Sequence, residues 1–200
     1  MNAPGPEMID LMFEISGGTL PVAYHYALWR ELIRLVPKLG EDESVGVVPL
    51  RTAESNEGML LPKRAKLILR LPQTLAESVS CLAQRQMLVA GIEVQLGACK
   101  TRPIQHYPTL HAQLVTGVED EIAFVSEVES ALSAMGVRAK LICGQRRTLD
   151  DGDRSISGYS LVLHDLLPED SLRVQYAGLG SDRRFGCGIF VPYKVISGLE

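Results

Sequence analysis

The sequence consists of two halves that share one order of predicted elements, and this repeat restricts the fold more than any other feature. In the first half the predicted strands and helices, in chain order, are residues 8–16, 21–36, 45–50, 63–71, 72–87 and 92–96. Pro21 suits the first turn of the first helix, and Pro37 with Gly40 ends it. The order is strand, helix, strand, strand, helix, strand.

The second half repeats this order. Its predicted elements, again in chain order, are residues 109–115, 119–135, 138–147, 155–163, 168–176 and 188–195. Two βαββαβ units in tandem predict an α+β protein with two ferredoxin-like domains, in each of which two helices cover a four-stranded sheet. We expect an N-terminal domain at residues 1–100, a linker at 101–108 and a C-terminal domain at 109–200.

The charge and the cysteines exclude several classes of protein. A formal net charge of -4 is not that of a generic polyanion binder, but the basic residues cluster apart from the acidic ones, which suits a specific nucleic-acid binder. The four cysteines form no C-x-x-C pair, so a zinc site is not expected. Neither a membrane-spanning run nor a signal peptide is predicted, and we expect a cytoplasmic protein.

A glycine-rich segment near the C-terminus is the most informative motif. Four glycines fall within eleven residues, between the last predicted helix and the last predicted strand: Gly178, Gly180, Gly186 and Gly188. Successive amides in such a loop can form an anion-binding nest, and Arg183 and Arg184 at its tip can engage phosphates. A dinucleotide fingerprint is excluded because it needs a strand before the glycines and a helix after them. A flexible turn is the structural alternative.

The pattern Gly180-x5-Gly186-x-Gly188, with basic residues inside the loop, resembles the signature of the Cas6 endoribonucleases, which process CRISPR repeat RNA. The fold of that family is two tandem ferredoxin-like domains, and the resemblance covers essentially the whole chain. The stretch Gly17-Gly-Thr-Leu-Pro-Val-Ala-Tyr-His25 is most similar to a short subfamily from type I systems. Cys187 departs from the pattern, because many members place an aromatic residue between the last two glycines.

The resemblance implies that the 2′-hydroxyl of the RNA attacks the adjacent phosphate. This reaction needs a base, an acid and charge stabilisation on the phosphate, but no metal ion or other cofactor. The implied product is a mature guide RNA cut from the repeat precursor. The implied partners are CRISPR repeat RNA and other subunits of a type I effector complex, with no membrane and no direct contact with DNA.

His25 is the predicted catalytic residue. The family resemblance supplies a histidine in or beside the first helix as the catalytic group. The N-terminus of that helix lowers the pKa of His25 and favours a neutral imidazole near pH 7. Its place on the apolar stripe with Leu28 and Leu32 gives the alternative, a core histidine. Tyr24 beside it is a second candidate, to position the 2′-hydroxyl or the phosphate as a tyrosine does in some relatives; core packing is the alternative.

Further RNA contacts are predicted in the second half. Arg146 and Arg147 end one arm of the predicted hairpin, which in relatives tends to enter the RNA near the scissile bond; a solvated hairpin tip is the alternative. The residue that stabilises charge on the phosphate stays open among Lys63, Lys66 and Arg102, each of which is equally well a solvated surface residue.

Two other functions compete with the enzyme. A non-catalytic RNA-binding subunit of a CRISPR effector complex keeps the RNA contacts and loses the chemistry. A tandem ferredoxin-like module that senses a small molecule is a different class, and the glycine-rich loop with its arginines speaks against it.

Overall fold

A computed structural model describes residues 7–193, apart from the side chain of Glu54. The chain divides into two compact units. One comprises Met1–Ile104, Leu149–Ser155 and Asp182–Gly186, and the other comprises Gln105–Thr148, Ile156–Ser181 and Cys187–Glu200. The boundary after Ile104 lies inside the segment predicted as a linker, and two short pieces of the second half of the sequence belong to the first unit.

The first unit is built on one antiparallel sheet. Its elements in chain order are β1 (Met8–Gly17), α1 (Tyr24–Leu35), β2 (Gly46–Val48), β3 (Ala53–Ser55), β4 (Gly58–Leu60), β5 (Lys66–Pro72), α2 (Ala76–Ser80), β6 (Gln86–Val89) and β7 (Ile92–Pro103). The strand order is β2-β5-β1-β7-β6, and β3 and β4 form a separate hairpin. The four strands β2-β5-β1-β7 have the ferredoxin-like arrangement, to which β6 adds an edge.

The alternation of apolar residues explains the central strands. Leu11 and Phe13 of β1 and Leu67 and Leu69 of β5 are fully buried, and neighbouring positions along each strand point to the opposite face of the sheet. On that opposite face, Asp10 lies between Arg70 and Arg102. Asp10 and Arg70 are both buried and form a bidentate ion pair, with an Nε–Oδ1 distance of 2.8 Å and an Nη2–Oδ2 distance of 3.2 Å. The buried positive charge of Arg70 is therefore compensated.

The prediction of a long second helix at residues 72–87 was wrong. The helix α2 is only five residues long, and residues 86–89 form the strand β6 instead. Ala90 and Gly91 both have positive φ, at 51° and 79°, and make the tight turn that pairs Val89 with Ile92. Met87 and Val89 are buried and alternate with exposed neighbours, which is the spacing of a strand. The predicted helix did not take this alternation into account.

The second unit repeats the arrangement. Its elements are β8 (Leu110–Thr116), α3 (Glu121–Ala134), β9 (Lys140–Asp150), β10 (Ser155–His164), α4 (Pro168–Ala177) and β11 (Val191–Pro192), and the sheet order is β11-β8-β10-β9. The Asp120 carboxylate caps α3 by accepting a hydrogen bond from the Ala123 amide at 2.8 Å. The last two residues of the strand predicted at 188–195 lie outside the described part of the chain. Among residues 7–193, no helix has the length and apolar character needed to cross a membrane.

Candidate functional site

His25 is the second residue of α1 and is half-buried. Its Nδ1 atom is enclosed by protein and has no hydrogen-bond partner among the described residues. Burial lowers the pKa of His25 from 6.5 to about 4, because the charged imidazolium loses hydration there. The helix N-terminus was expected to lower the pKa of His25, whereas in the structure burial is the cause. The ring is neutral at pH 7 and is able to accept a proton.

Tyr24 supports the ring of His25. The two rings stack with their centroids 4.0 Å apart and their planes inclined by 22°. The Tyr24 side chain is buried, and its hydroxyl accepts a hydrogen bond from the Leu50 amide at 2.9 Å. Burial raises the pKa of Tyr24 to about 12. This placement favours a role in orienting His25 over direct contact of the hydroxyl with a substrate.

A cavity of about 470 Å³ lies beside the next residues of α1, within the first unit. It is lined by three stretches that are far apart in the sequence: Tyr26, Trp29, Arg30 and Ile33 of α1; Asp151, Asp153 and Arg154; and Arg184 and Phe185. All of these residues belong to the first unit.

Contacts of Tyr26 join α1 to the glycine-rich loop and to the end of β9. The Tyr26 and Phe185 ring centroids are 4.7 Å apart, and the Tyr26 hydroxyl donates a hydrogen bond to the Leu149 carbonyl at 3.3 Å. The Arg184 guanidinium lies over the Phe185 ring, 5.1 Å from its centroid. The tip of the glycine-rich loop and the C-terminal end of β9 are therefore both fixed against α1.

The two arginines of the loop tip have different environments. Arg183 is only 9% exposed, whereas Arg184 is exposed; contact of either with phosphate stays a prediction. The Arg183 Nε donates a hydrogen bond to the Ser44 carbonyl at 3.2 Å, and both of its Nη atoms are buried without a partner among the described residues. Burial and the nearby Arg70 lower the pKa of Arg183 to about 10, so it stays charged at pH 7. Arg183 anchors the loop tip from inside.

The backbone conformation of the loop requires glycine at four positions. Gly178, Gly180, Gly186 and Gly188 all have φ between 64° and 88°, and all except Gly180 are buried. At Gly188 a Cβ atom would lie 1.9 Å from the Leu179 carbonyl oxygen, which no side chain tolerates.

The loop amides are also largely occupied. The Gly178, Gly186 and Gly188 amides donate hydrogen bonds to carbonyl oxygens of the protein at 2.8, 2.9 and 2.7 Å. These three donors are not free to form the predicted anion nest. Contact between the four glycines and RNA stays a prediction.

Arg146 and Arg147 lie on β9 in the second unit, and both are exposed. Arg146 forms an ion pair with Glu119, which is itself exposed. An exposed ion pair of this kind contributes little stability and is readily exchanged for another anion. The exposed position of Arg146 and Arg147 is compatible with contact with RNA, which stays a prediction.

The cavity was not predicted from the sequence. Asp151 and Asp153 lie in the polar turn between β9 and β10, and Trp29 lies on the buried face of α1. No local pattern joins these positions, because they meet only when the turn after β9 packs against α1. A signal available in the sequence was Arg154, a basic residue directly before β10, in the hairpin whose other strand carries Arg146 and Arg147.

These features define an α+β protein of two ferredoxin-like units, with a half-buried histidine on the first helix and a glycine-rich loop before the last strand. The family model described as "Cas6 Crispr" matches residues 9–195. The chain therefore belongs to the Cas6 family, and the predicted family and fold class are confirmed.

Individual relatives agree with this assignment. The chain is 37% identical over 186 residues to the "CRISPR-associated endonuclease Cas6" of Myxococcus xanthus, a match that covers 92% of this chain and 81% of the relative. A solved structure described as a Cas6-related gene from Pyrococcus furiosus has a TM-score of 0.66 at 12% identity, covering 96% of this chain and all of that one. A Thermus thermophilus Cse3 bound to an RNA representing a pre-cleavage complex has a TM-score of 0.56 at 16% identity, covering 92% and 98%. The structural similarities show the fold.

Proposed function

We propose that this protein is an endoribonuclease that binds CRISPR repeat RNA and cuts it into guide RNAs, without a metal ion. The Myxococcus xanthus relative carries the description of a CRISPR-associated endonuclease, and a structural relative is described as bound to RNA. The observation that carries the proposal for this chain is the neutral, half-buried imidazole of His25, held against Tyr24 at 4.0 Å.

The chemistry follows from the state of that imidazole. A neutral ring accepts the proton of the 2′-hydroxyl while the O2′–P bond forms and the P–O5′ bond breaks. The departing 5′-oxygen takes a proton from water and leaves as the 5′-hydroxyl. Because the Nδ1 atom is enclosed, we assign the proton transfer to Nε2. The stacked Tyr24 limits rotation of the ring, so the base is oriented before RNA binds.

The test of this function is incubation of the purified protein with RNA carrying the repeat of the CRISPR array in the same genome, in excess EDTA. We expect cleavage at one position, at the same rate as in magnesium, because a side chain supplies the base. Binding without cleavage in either buffer supports the non-catalytic RNA-binding subunit. Cleavage that requires magnesium contradicts the metal-independent mechanism. Absence of binding contradicts the function as a whole and favours the small-molecule-sensing module.

Alanine variants of the two loop arginines are expected to have different effects on RNA binding. Arg184→Ala is expected to weaken RNA binding by about tenfold and to reduce the salt dependence of the dissociation constant, because one exposed cation and its released counterion are lost. Fluorescence anisotropy over a range of salt concentrations measures both quantities.

Arg183→Ala provides the comparison. This residue has no exposed charge to lose, so the slope against salt is expected to stay unchanged, while thermal unfolding occurs at a lower temperature because the Ser44 contact is lost. A reduced salt slope in Arg183→Ala, with the parent slope kept in Arg184→Ala, contradicts the roles assigned here. Contacts of Arg146 and Arg147 with RNA remain predictions that the same assay addresses. Association with effector subunits also remains a prediction.

A further inference from the structure

The cavity beside α1 has an apolar floor and a charged rim. Tyr26, Trp29 and Phe185 form the floor and are each less than a tenth exposed. The rim consists of exposed side chains, Arg30, Arg154, Arg184 and the two acidic residues Asp151 and Asp153. A volume of about 470 Å³ is within the usual range of sites for small organic groups.

The cations of the rim are available to a ligand. Within residues 7–193, none of Arg30, Arg154 and Arg184 forms an ion pair with a carboxylate. Three guanidinium groups thus line one opening, and none of them forms a direct ion pair with the two carboxylates on the same rim. Guanidinium groups in such a position are suited to phosphate, which they bind through two parallel hydrogen bonds.

The acidic residues of the rim differ in availability. The Asp151 carboxylate accepts hydrogen bonds from the Asp153 and Arg154 amides at 3.1 and 2.8 Å, so it shapes the turn. The Asp153 side chain is exposed and makes no such contact with the described residues. A carboxylate at the rim of an aromatic floor accepts hydrogen bonds from an exocyclic amino group of a base.

We propose that this cavity binds one unpaired nucleotide of the RNA, with its base over the apolar floor and its flanking phosphates on the three arginines. Asp153 accepts a hydrogen bond from the amino group of that base, which favours adenine, guanine or cytosine over uracil. This inference rests on the proposed function and adds a specificity site to it. Stacking on aromatic groups and phosphate contacts with arginine are the two interactions by which proteins hold single-stranded RNA.

The position of the cavity places this nucleotide near the cut. Tyr26 follows His25 directly in α1, so the floor begins one residue along the helix from the catalytic imidazole, on a face rotated by about 100°. We therefore expect the nucleotide in the cavity to lie close in sequence to the scissile phosphate. It contributes to affinity and to the choice of cleavage position, and not to proton transfer.

An abasic scan of the repeat RNA tests the proposal. Each nucleotide within three positions of the cut is replaced in turn by an abasic one, and dissociation constants are measured for the parent and for Arg154→Ala. We expect one abasic position to weaken binding to the parent by about tenfold, which is the usual loss when one stacked base is removed. In Arg154→Ala the same abasic RNA is expected to bind less than threefold more weakly than the intact RNA, because the nucleotide is already poorly held.

Arg85→Ala is the matched control, because Arg85 is an exposed arginine of the same unit outside the cavity. It is expected to keep the full tenfold effect of the abasic position. Replacing the base at that position by uracil is expected to weaken binding of the RNA to the parent protein. The same replacement is expected to have no effect on binding to Asp153→Ala. All three variants change exposed side chains, and circular dichroism confirms that they fold.

The outcomes separate the two proposals. If the parent cuts repeat RNA but no abasic position has an effect that Arg154→Ala removes, the nucleotide site is wrong and the endoribonuclease stands. If Arg85→Ala removes the effect equally, the contribution of Arg154 is general electrostatics, and the nucleotide site is again wrong. If the parent neither binds nor cuts repeat RNA, the proposed function fails and the nucleotide site with it.

Discussion

His25→Ala is expected to lower the single-turnover rate of RNA cleavage by about 10²–10⁴-fold, the usual contribution of one general acid–base group. The dissociation constant for repeat RNA is expected to stay within about threefold of the parent value, because a neutral imidazole contributes no charge to phosphate binding. Rates are measured at saturating protein, so that weaker binding cannot be mistaken for slower chemistry.

The control for this variant is His164→Ala. His164 is another histidine that is neither fully buried nor fully exposed, and its Nδ1 lies 3.2 Å from the Asp165 carboxylate in the second unit. It is expected to cleave at the parent rate. Near-parent cleavage by His25→Ala contradicts the assignment and makes His106, an exposed histidine, the next residue to replace.

The pH dependence of the parent gives a second measure of the same residue. Only neutral His25 accepts a proton, and its folded-state pKa of about 4 lies below its ordinary 6.5. The rate at subsaturating protein, which reports on the free enzyme, is therefore expected to stay level from about pH 8 down to about pH 5.5 and to fall only as the pH approaches that pKa. A fall with its midpoint near 6.5 shows that the ring is solvated like an ordinary exposed histidine, in contradiction to the burial described above.

The extent to which sequence predicts this protein depends on how local each feature is. The helix α1 and the strands β1 and β5 were predicted because their apolar spacing and the proline at residue 21 are properties of a few neighbouring residues. The same reasoning failed at β6, where a turn at Ala90 and Gly91 converts residues 86–89 into a strand. The dipeptide Ala90-Gly91 is a weaker turn signal than Asn-Gly or Asp-Gly, and the apolar residues there fit a helix almost as well.

In the candidate site, too, features set by neighbouring residues were predicted and features set by tertiary contacts were not. His25 was identified by its position near the start of one helix and by the family resemblance, both of which need only the sequence. The burial of Arg183 was not predictable, because it depends on the Ser44 carbonyl and on Arg70, which approach it only in the folded chain. Adjacent arginines in a glycine-rich loop look equivalent in sequence. Their separation into an internal anchor and an exposed cation is a property of the tertiary structure.

Replacing the 2′-hydroxyl at the scissile nucleotide by hydrogen is expected to abolish cleavage completely. In the proposed reaction this oxygen is the nucleophile, and the His25 imidazole takes its proton. The parent therefore leaves a 2′,3′-cyclic phosphate on one product and a 5′-hydroxyl on the other. Without the 2′-oxygen no O2′–P bond can form, and neither a buried base nor correct positioning of the RNA compensates for a missing nucleophile.

The deoxy substrate is expected to bind as tightly as the parent RNA, because one hydroxyl among many backbone contacts contributes little to affinity. It is therefore expected to inhibit cleavage of the normal substrate by competition. Deoxy substitution at other nucleotides of the repeat controls for general effects of sugar pucker and is expected to leave cleavage largely intact. Cleavage of the scissile deoxy substrate, or products that end in a 3′-hydroxyl and a 5′-phosphate, shows that water is the nucleophile. The base held against Tyr24 would then activate water instead of the RNA itself, and the proposed transesterification would be wrong.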